Sequence, residues 1–339
     1  MEQASLQPIS VIIPTFQRPD SLARALRSVF AQTRADLILE IAVVDNAEEG
    51  SARAAVEALR PLSPAPLIYI NAPPPGVATA RNAGVAATSA PYVAFLDDDE
   101  EAHPNWLAGL YAVHRRHGAD VTFGPVHGKT PGVQPWKRLY LEQFFSRIGP
   151  AVSGPIEVVY GCGNSLMTRA TALQGPAPFD VAANDTGGED DRLFADLRGK
   201  GARFAWAAEA VVDEHAPPHR ATLGYALARA VSYGQSPCQL CQRRGDWLGL
   251  AKWMSIGAGQ AVVFGAAALG LMALKRPAWV PVMDRAARGL GKVLWFHEFH
   301  FYGQGAARFS PSPQAIADGA EGQASFTATA TKITQMKSL

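Results

Sequence analysis

Tyr92-Val93-Ala94-Phe95-Leu96-Asp97-Asp98-Asp99-Glu100 decides the architecture: an apolar run that reads as a strand, ended by consecutive acids. A strand that is apolar throughout, without alternation, is covered on both faces, as strands of a parallel sheet are. The same kind of run recurs upstream as Ile9-Ser10-Val11-Ile12-Ile13, from Leu37 to Val44, and as Leu67-Ile68-Tyr69-Ile70. Helical segments separate these runs. One is opened by Asp20-Ser21 and places Leu22, Leu26, Val29 and Phe30 at the helical period. An alanine-rich one runs from about Ser51 to Leu59, and another starts after Gly76. Pro14 is expected to stop the first strand. Strands and helices taking turns, with right-handed crossovers, predict an open α/β domain.

Past Val121-Thr122-Phe123-Gly124 the alternation breaks into irregular stretches, through Val158-Val159-Tyr160-Gly161, so the second half reads as mixed. A helix resumes near Gly188, with Leu193, Phe194 and Leu197 on its inner face. Beyond Arg220 a basic amphipathic stretch precedes an uncharged run from Met254 to Leu274. As a helix that run would extend about 31 Å at ~1.5 Å per residue, enough to cross a bilayer. Gln260, Ser255 and four glycines weaken it, so a spanning helix and a buried or re-entrant one are both open. The segment after Gly303, rich in Ala, Gly, Ser, Thr and Gln, is expected to be disordered. The division read from this pattern is 1–222 for the α/β domain, 223–302 for a helical region with membrane association as one open reading, and 303–339 for the tail.

Composition narrows the function. The chain of 339 residues is 48% hydrophobic with a formal charge of +1, so it buries a full core and carries no long basic run of the kind nucleic-acid binding needs. Met1 to Pro8 lacks the basic and apolar regions of a secretory signal, which leads to the expectation of a cytoplasmic protein. Three cysteines, Cys162, Cys238 and Cys241, read as reduced thiols rather than a disulfide framework. Cys238 and Cys241 have no second ligand pair at zinc-site spacing.

In an open α/β sheet the ligand crevice lies outside the carboxyl ends of the strands. The residues there are Pro14-Thr15 after the first strand, Asp45-Asn46 after the second, and Asp97-Asp98-Asp99-Glu100 after the fourth. Such a rim repels a bare nucleotide, but accepts one where a divalent cation, Mg²⁺ or Mn²⁺, bridges carboxylates and diphosphate through hard oxygen ligands. Neither the dinucleotide Gly-x-Gly-x-x-Gly nor the phosphate-loop motif is present. Arg81, in the helix after Gly76, is placed to reach a diphosphate or a base, and equally to be a plain helix-surface residue.

Together these residues resemble the metal-dependent family 2 glycosyltransferases of the GT-A fold. The resemblance rests on Val11-Ile12-Ile13-Pro14-Thr15, Val43-Val44-Asp45-Asn46, Ala80-Arg81-Asn82-Ala83-Gly84, Phe95-Leu96-Asp97-Asp98-Asp99 and Gly187-Gly188-Glu189-Asp190, in the family's order, across about residues 8 to 215. A narrower likeness, to bacterial exopolysaccharide enzymes of the succinoglycan type, comes from Gly161-Cys162-Gly163-Asn164, Glu214-His215-Ala216-Pro217-Pro218-His219-Arg220 and Gly289-Leu290-Gly291-Lys292.

The resemblance implies that Asp45 reads the uracil edge with Thr15 beside the base, that Asp97 faces the ribose and that Asp99 binds the metal, with Asp98 between them on the other side of the chain. Arg81 would steady the nucleotide. Asn46 stands where many relatives carry a second acid. Glu189 and Asp190 open a helix after Gly187-Gly188, and the resemblance assigns the aspartate of such a pair to general-base work. His215, or its neighbour Glu214, would complete the metal shell.

One base and one displacement imply an inverting transfer from a nucleotide-sugar donor, UDP-linked, to a hydroxyl of a glycan or lipid-linked acceptor in bacterial polysaccharide synthesis. The basic segment from Arg220 to Trp253 and the uncharged run beyond it are expected to meet a membrane surface, which sets the expected location at the cytoplasmic face of the inner membrane. Two other readings are a nucleotidyltransferase, disfavoured because Pro14-Thr15-Phe16-Gln17-Arg18 is not glycine-rich, and a catalytically silent membrane-associated scaffold.

Overall fold

A computed structural model describes residues 7–185 and 187–297. Eleven strands and ten α-helices follow one another along these residues. The strands are β1 Ile9–Thr15, β2 Ile38–Asp45, β3 Leu67–Asn71, β4 Tyr92–Phe95, β5 Glu100–Ala102, β6 Val121–Phe123, β7 Val126–Lys129, β8 Gly154–Ile156, β9 Ser165–Thr168, β10 Phe204–Trp206 and β11 Val212–His215. The helices are α1 Pro19–Phe30, α2 Arg53–Leu59, α3 Val77–Ala87, α4 Trp106–His117, α5 Pro135–Phe145, α6 Arg169–Ala172, α7 Glu189–Gly199, α8 Leu223–Arg243, α9 Trp247–Ala273 and α10 Trp279–Val293.

Eight strands form one sheet in the order β3-β2-β1-β4-β9-β6-β10-β8. The first four are parallel, as the unalternating apolar runs predict. Every residue of β1 is buried, because α1, α2 and α4 pack on one face of the sheet and α3 and α7 on the other. The remainder is mixed. β9 runs antiparallel between β4 and β6, β10 is parallel to β6, and β8 is antiparallel to β10. A second sheet, β5-β11-β7, stands apart from the first. It was not legible in the sequence, since its strands are three or four residues long and charged. Val158 to Gly161 forms no strand.

Two local findings refine the expected boundaries. β1 continues through Pro14 to Thr15. Pairing with β4 ends at Ile12 opposite Phe95, and strand alternation turns the Pro14 nitrogen to that vacated side, so no ladder donor is lost. Thr15 O still accepts from Asn46 N at 2.9 Å on the β2 side. At Gly84, in α3, a Cβ would stand 2.5 Å from Ile12 Cγ2, so the absence of a side chain lets that helix lie directly on β1.

Chain order reverses direction across the sheet at β1: β2 and β3 lie to one side and β4 to the other. The crevice at this switch point opens beyond Thr15 and Phe95, where the acids follow. After β11, α8, α9 and α10 pack as a separate helical layer. It is drawn close where Gly234 meets Arg288 O, Gly291 meets Val231 O, and Gly257 meets Gly289 O. Cys162, Cys238 and Cys241 are buried free thiols. The tail over 303–339 lies outside the described residues.

Candidate active site

The acids after β4 are held from three directions by arginines. Thr15 Oγ1 donates to Asp98 Oδ2 at 2.7 Å across the switch point. Arg18, at the start of α1, places one guanidinium nitrogen 3.0 Å from Asp98 Oδ1 and 2.9 Å from Asp99 Oδ2. Asp98 is buried, and burial first, with Asp99 beside it, lifts its carboxyl to about 6 against the opposing pull of Arg18. Arg147, just past α5, lies 2.8 Å from Glu100 and 3.4 Å from Glu214. Burial, reinforced by Asp97, holds Glu100 well above the carboxylate range. Burial likewise pushes Glu214 to about 7, with Arg147 opposing and Asp99 and Asp97 adding.

Arg81 joins the two halves of the site. From α3 it bonds Asp97 at 3.2 Å and pairs with Glu189 at the start of α7, with its own side chain 4% exposed. It was expected to steady a nucleotide directly. Here its guanidinium is taken up by two acids, Asp97 and Glu189. Burial raises the Glu189 carboxyl and Arg81 counters that. Its neighbour Asp190 is partly exposed, and each of its oxygens takes a backbone N–H, from Cys162 at 3.0 Å and from Asp191 at 2.9 Å. Gly188 precedes the pair with φ 84°, a left-handed turn that glycine adopts without strain.

The glycines around Cys162 connect both sets of acids. A Cβ on Gly161 would sit 3.6 Å from Asp190 Oδ2, and one on Gly163 would sit 2.5 Å from Asp97 Oδ2. Their Cα atoms are at most about 7 Å apart along the chain, so Asp97 and Asp190 adjoin the same short loop. Asn164, with φ 57°, anchors this loop by accepting from Trp106 Nε1 at 2.7 Å and donating to Pro125 O and Ala210 O at 2.8 Å.

The side chains of Asp45, Asn46 and His215 each have partners of their own. Asp45 is 0% exposed and accepts from Ala47 N, Ala52 N and Tyr69 Oη at 3.1, 2.7 and 2.9 Å. It shapes the loop after β2. Asn46 next to it donates to Ala72 O and to Pro74 O and accepts from Gly76 N, which fixes the entry to α3. The His215 ring is not directed to Asp99. Its Nε2 bonds Glu101 Oε2 at 2.9 Å, while only its backbone N–H reaches Asp99 O, at 2.8 Å. Alternation along β11 explains this, since Glu214 and Glu100 are paired on one face and Asp213 and Glu101 on the other.

Asp97, Asp99 and Glu214 supply the hard carboxylate oxygens that Mg²⁺ or Mn²⁺ takes, so the donor chemistry fits such an ion. Among the described residues no three His, Cys, Asp or Glu side chains are drawn together at ligating distance. Arg18 supplies the positive charge between Asp98 and Asp99. Arg18 and Arg147 were missed in the sequence because each lies outside the periodic segments, and an isolated arginine carries no local signal.

The family model for glycosyl transferase family 2 matches residues 10–174. The chain is 33% identical over 242 residues to the succinoglycan biosynthesis protein ExoM of Rhizobium meliloti (strain 1021), covering 71% of this chain and 77% of that protein. It is 29% identical over 128 residues to the poly(ribitol-phosphate) beta-N-acetylglucosaminyltransferase TarP of Staphylococcus aureus (strain N315), 37% of this chain and 38% of that one. A crystal structure of S. aureus TarS 1-349 in complex with UDP is similar with a TM-score of 0.48 at 13% identity, covering 85% of this chain and 91% of that one. The switch-point acids and the Glu189-Asp190 pair thus stand in a chain that belongs to glycosyl transferase family 2 and is a glycosyltransferase.

Proposed function

We propose that the cleft transfers a sugar from a UDP-linked donor to an acceptor hydroxyl, with inversion, in the synthesis of a bacterial polysaccharide. One observation carries the reading: Arg81 bonds both Asp97, on the donor side, and Glu189, beside the acceptor-side Asp190. The nucleotide lies along the rim from Pro14, Thr15 and Asn46 to Asp97 and Asp98. Asp45 contributes by holding that rim in shape. Asp190 takes the proton of the acceptor hydroxyl, which is a poor nucleophile until that proton leaves. Its two backbone donors keep the carboxylate oriented for this. Glu189, neutralised by Arg81, positions the first turn of α7.

A divalent cation, Mg²⁺ or Mn²⁺, would be held by Asp99 with Asp97 and Glu214 near it, and when bound it stabilises the charge that grows on the leaving diphosphate. Arg18 and Arg147 organise the same carboxylates. The relatives' roles in succinoglycan biosynthesis and in poly(ribitol-phosphate) modification support a glycan acceptor, and the helical layer beyond residue 222 supports a lipid-linked one at the cytoplasmic face. Residues 1–222 then form the catalytic domain and 223–302 its membrane-associated part.

Nucleotide release from a panel of nucleotide sugars, measured with Mn²⁺, with Mg²⁺ and with a chelator, tests the proposal. The expected result is release from a UDP-sugar that requires the cation and falls at least about 100-fold in Asp99→Asn. Pyrophosphate as product would instead identify a nucleotidyltransferase. No turnover of any donor would leave a silent scaffold.

A further inference from the structure

The outermost helix, α9, is apolar on the side that nothing in the described structure covers. Leu250, Met254, Gly257, Phe264 and Ala268 recur at helical spacing and are buried or half-buried toward α8 and α10. On the opposite side Leu248, Val262, Val263 and Leu269 are 87, 70, 64 and 61% exposed. No charged residue occurs between Lys252 and Lys275. Only 11% of the most apolar stretch of α9 is buried. Its 27 residues extend about 40 Å at ~1.5 Å per residue, more than the hydrocarbon thickness of about 30 Å, so length alone permits a span.

The layering of the helices excludes that orientation. Arg285 of α10 lies 5.6 Å from the ring of Phe264, and Gly257 packs against Gly289 O and Lys292, so α10 from Arg285 to Lys292 flanks the middle of α9. On its other side α10 is tied to α5, where Tyr140 Oη donates to Asp284 at 3.0 Å and the rings of Trp136 and Trp279 lie 6.2 Å apart. The catalytic domain therefore stands beside the second half of α9, within its uncharged run. Upright in a bilayer, α9 would carry Asp284, Arg285, Arg288 and Lys292, and α5 behind them, into the hydrocarbon core, where ionised side chains are strongly disfavoured.

We propose that α9 is an in-plane anchor: it lies flat in the surface of an anionic bilayer, its outward face among the upper acyl chains, with α10 separating it from the catalytic domain. Charge complementarity identifies the occupant. From residue 243 to residue 276 there are five basic side chains, Arg243, Arg244, Lys252, Lys275 and Arg276, against the single acid Asp246. Trp247 and Trp253 stand on the first turns of α9, and the amphipathic indole suits the headgroup boundary. Lys252, toward the outward side, reaches the headgroups by its long stem. The inference deepens the membrane part of the proposed function and does not depend on the roles of Asp99 or Asp190.

The test uses the full chain with phosphatidylcholine vesicles made with and without phosphatidylglycerol. Ile256→Cys, Val263→Cys and Leu269→Cys, one at a time, carry an environment-sensitive dye, the three native cysteines being buried. Exposed Leu62→Cys on the catalytic domain is the control. Co-flotation with the anionic vesicles is expected, with all three α9 dyes quenched alike by lipids spin-labelled near the headgroup, weakly by lipids labelled deep in the chain, and the control not at all. Val262→Glu with Val263→Glu is expected to lower vesicle partition at least tenfold, while circular dichroism and nucleotide release from a soluble donor stay unchanged.

A depth profile with Val263 deepest and the ends shallow would overturn the proposal in favour of a span. Absence of flotation together with a dimer abolished by the same glutamates would overturn it in favour of a second copy, and flotation indifferent to the glutamates would place the contact elsewhere. Lost donor turnover with flotation intact would count against the catalytic reading alone.

Discussion

Arg81 and Glu189, 108 residues apart in the chain, form an ion pair whose side chains are 4 and 6% exposed, and this pair ties the helix after β3 to the helix that carries Asp190. A buried charge left without its partner is costly, whereas a buried pair replaced by apolar groups of similar volume is often tolerated. Arg81→Met is therefore expected to destabilise the fold by about 3–5 kcal/mol in urea denaturation, since it strands Glu189 and loosens Asp97. Arg81→Met combined with Glu189→Met should recover part of that stability and none of the activity. A double variant no more stable than the single one would show that the pair does not hold the two helices together.

Asp190 has a more direct part. Asp190→Asn keeps the side chain's size, retains an oxygen for only one of the two backbone donors, and loses the capacity to accept a proton. Steady-state transfer assays should show kcat reduced about 10²- to 10⁴-fold with the donor KM little changed. An unaltered kcat would assign the base to another group.

The two glycines flanking Cys162 separate steric from chemical effects. On Gly163 a Cβ would press to 2.5 Å from Asp97 Oδ2 and 2.9 Å from Glu100 Oε1, whereas on Gly161 it would make an ordinary contact of 3.6 Å with Asp190 Oδ2. Gly163→Ala should raise the donor KM by about tenfold, roughly 1.4 kcal/mol of binding, and Gly161→Ala should leave it within about twofold. Donor titrations on both proteins, each with an unchanged circular dichroism spectrum, decide the matter.

His114 gives the fold a pH dependence remote from the cleft. Its ring is buried between Thr122 and Thr168, bonded to their hydroxyls at 2.9 and 2.8 Å, and burial lowers its pKa from 6.5 to about 4. The folded state thus binds fewer protons than the unfolded state between those values. The contribution is fully present above pH 6.5 and is lost as the pH falls toward 4, a change on the order of 3 kcal/mol. Denaturant titrations should show a shallower loss of stability across this window in His114→Gln than in the wild type.

How much of this was legible beforehand follows from the range of each interaction. β1 to β4 and α1 to α3 were readable within a residue or two because a parallel strand covered on both faces, or a helix with one buried stripe, writes its burial into consecutive residues. Thr15 and the acids after Phe95 were readable as site candidates because the switch point of an α/β sheet follows from strand order, and Glu189-Asp190 because the pair opens a helix after Gly187-Gly188 and carries the family resemblance. The β5-β11-β7 sheet was not, since strands of three or four charged residues leave no periodic trace.

By itself the sequence determined that a parallel sheet would form and that acids would gather at its carboxyl edge, because both follow from local hydrophobic periodicity and chain order. Tertiary structure alone decided which charges face one another. It placed Arg18 between Asp98 and Asp99, brought Arg147 to Glu100 and Glu214, turned the His215 ring to Glu101, and sealed Asp45 inside its own loop. The physical reason is range. Periodicity is a property of neighbouring residues, whereas an ion pair joining residues as far apart as 108 positions exists only once the backbone between them has packed.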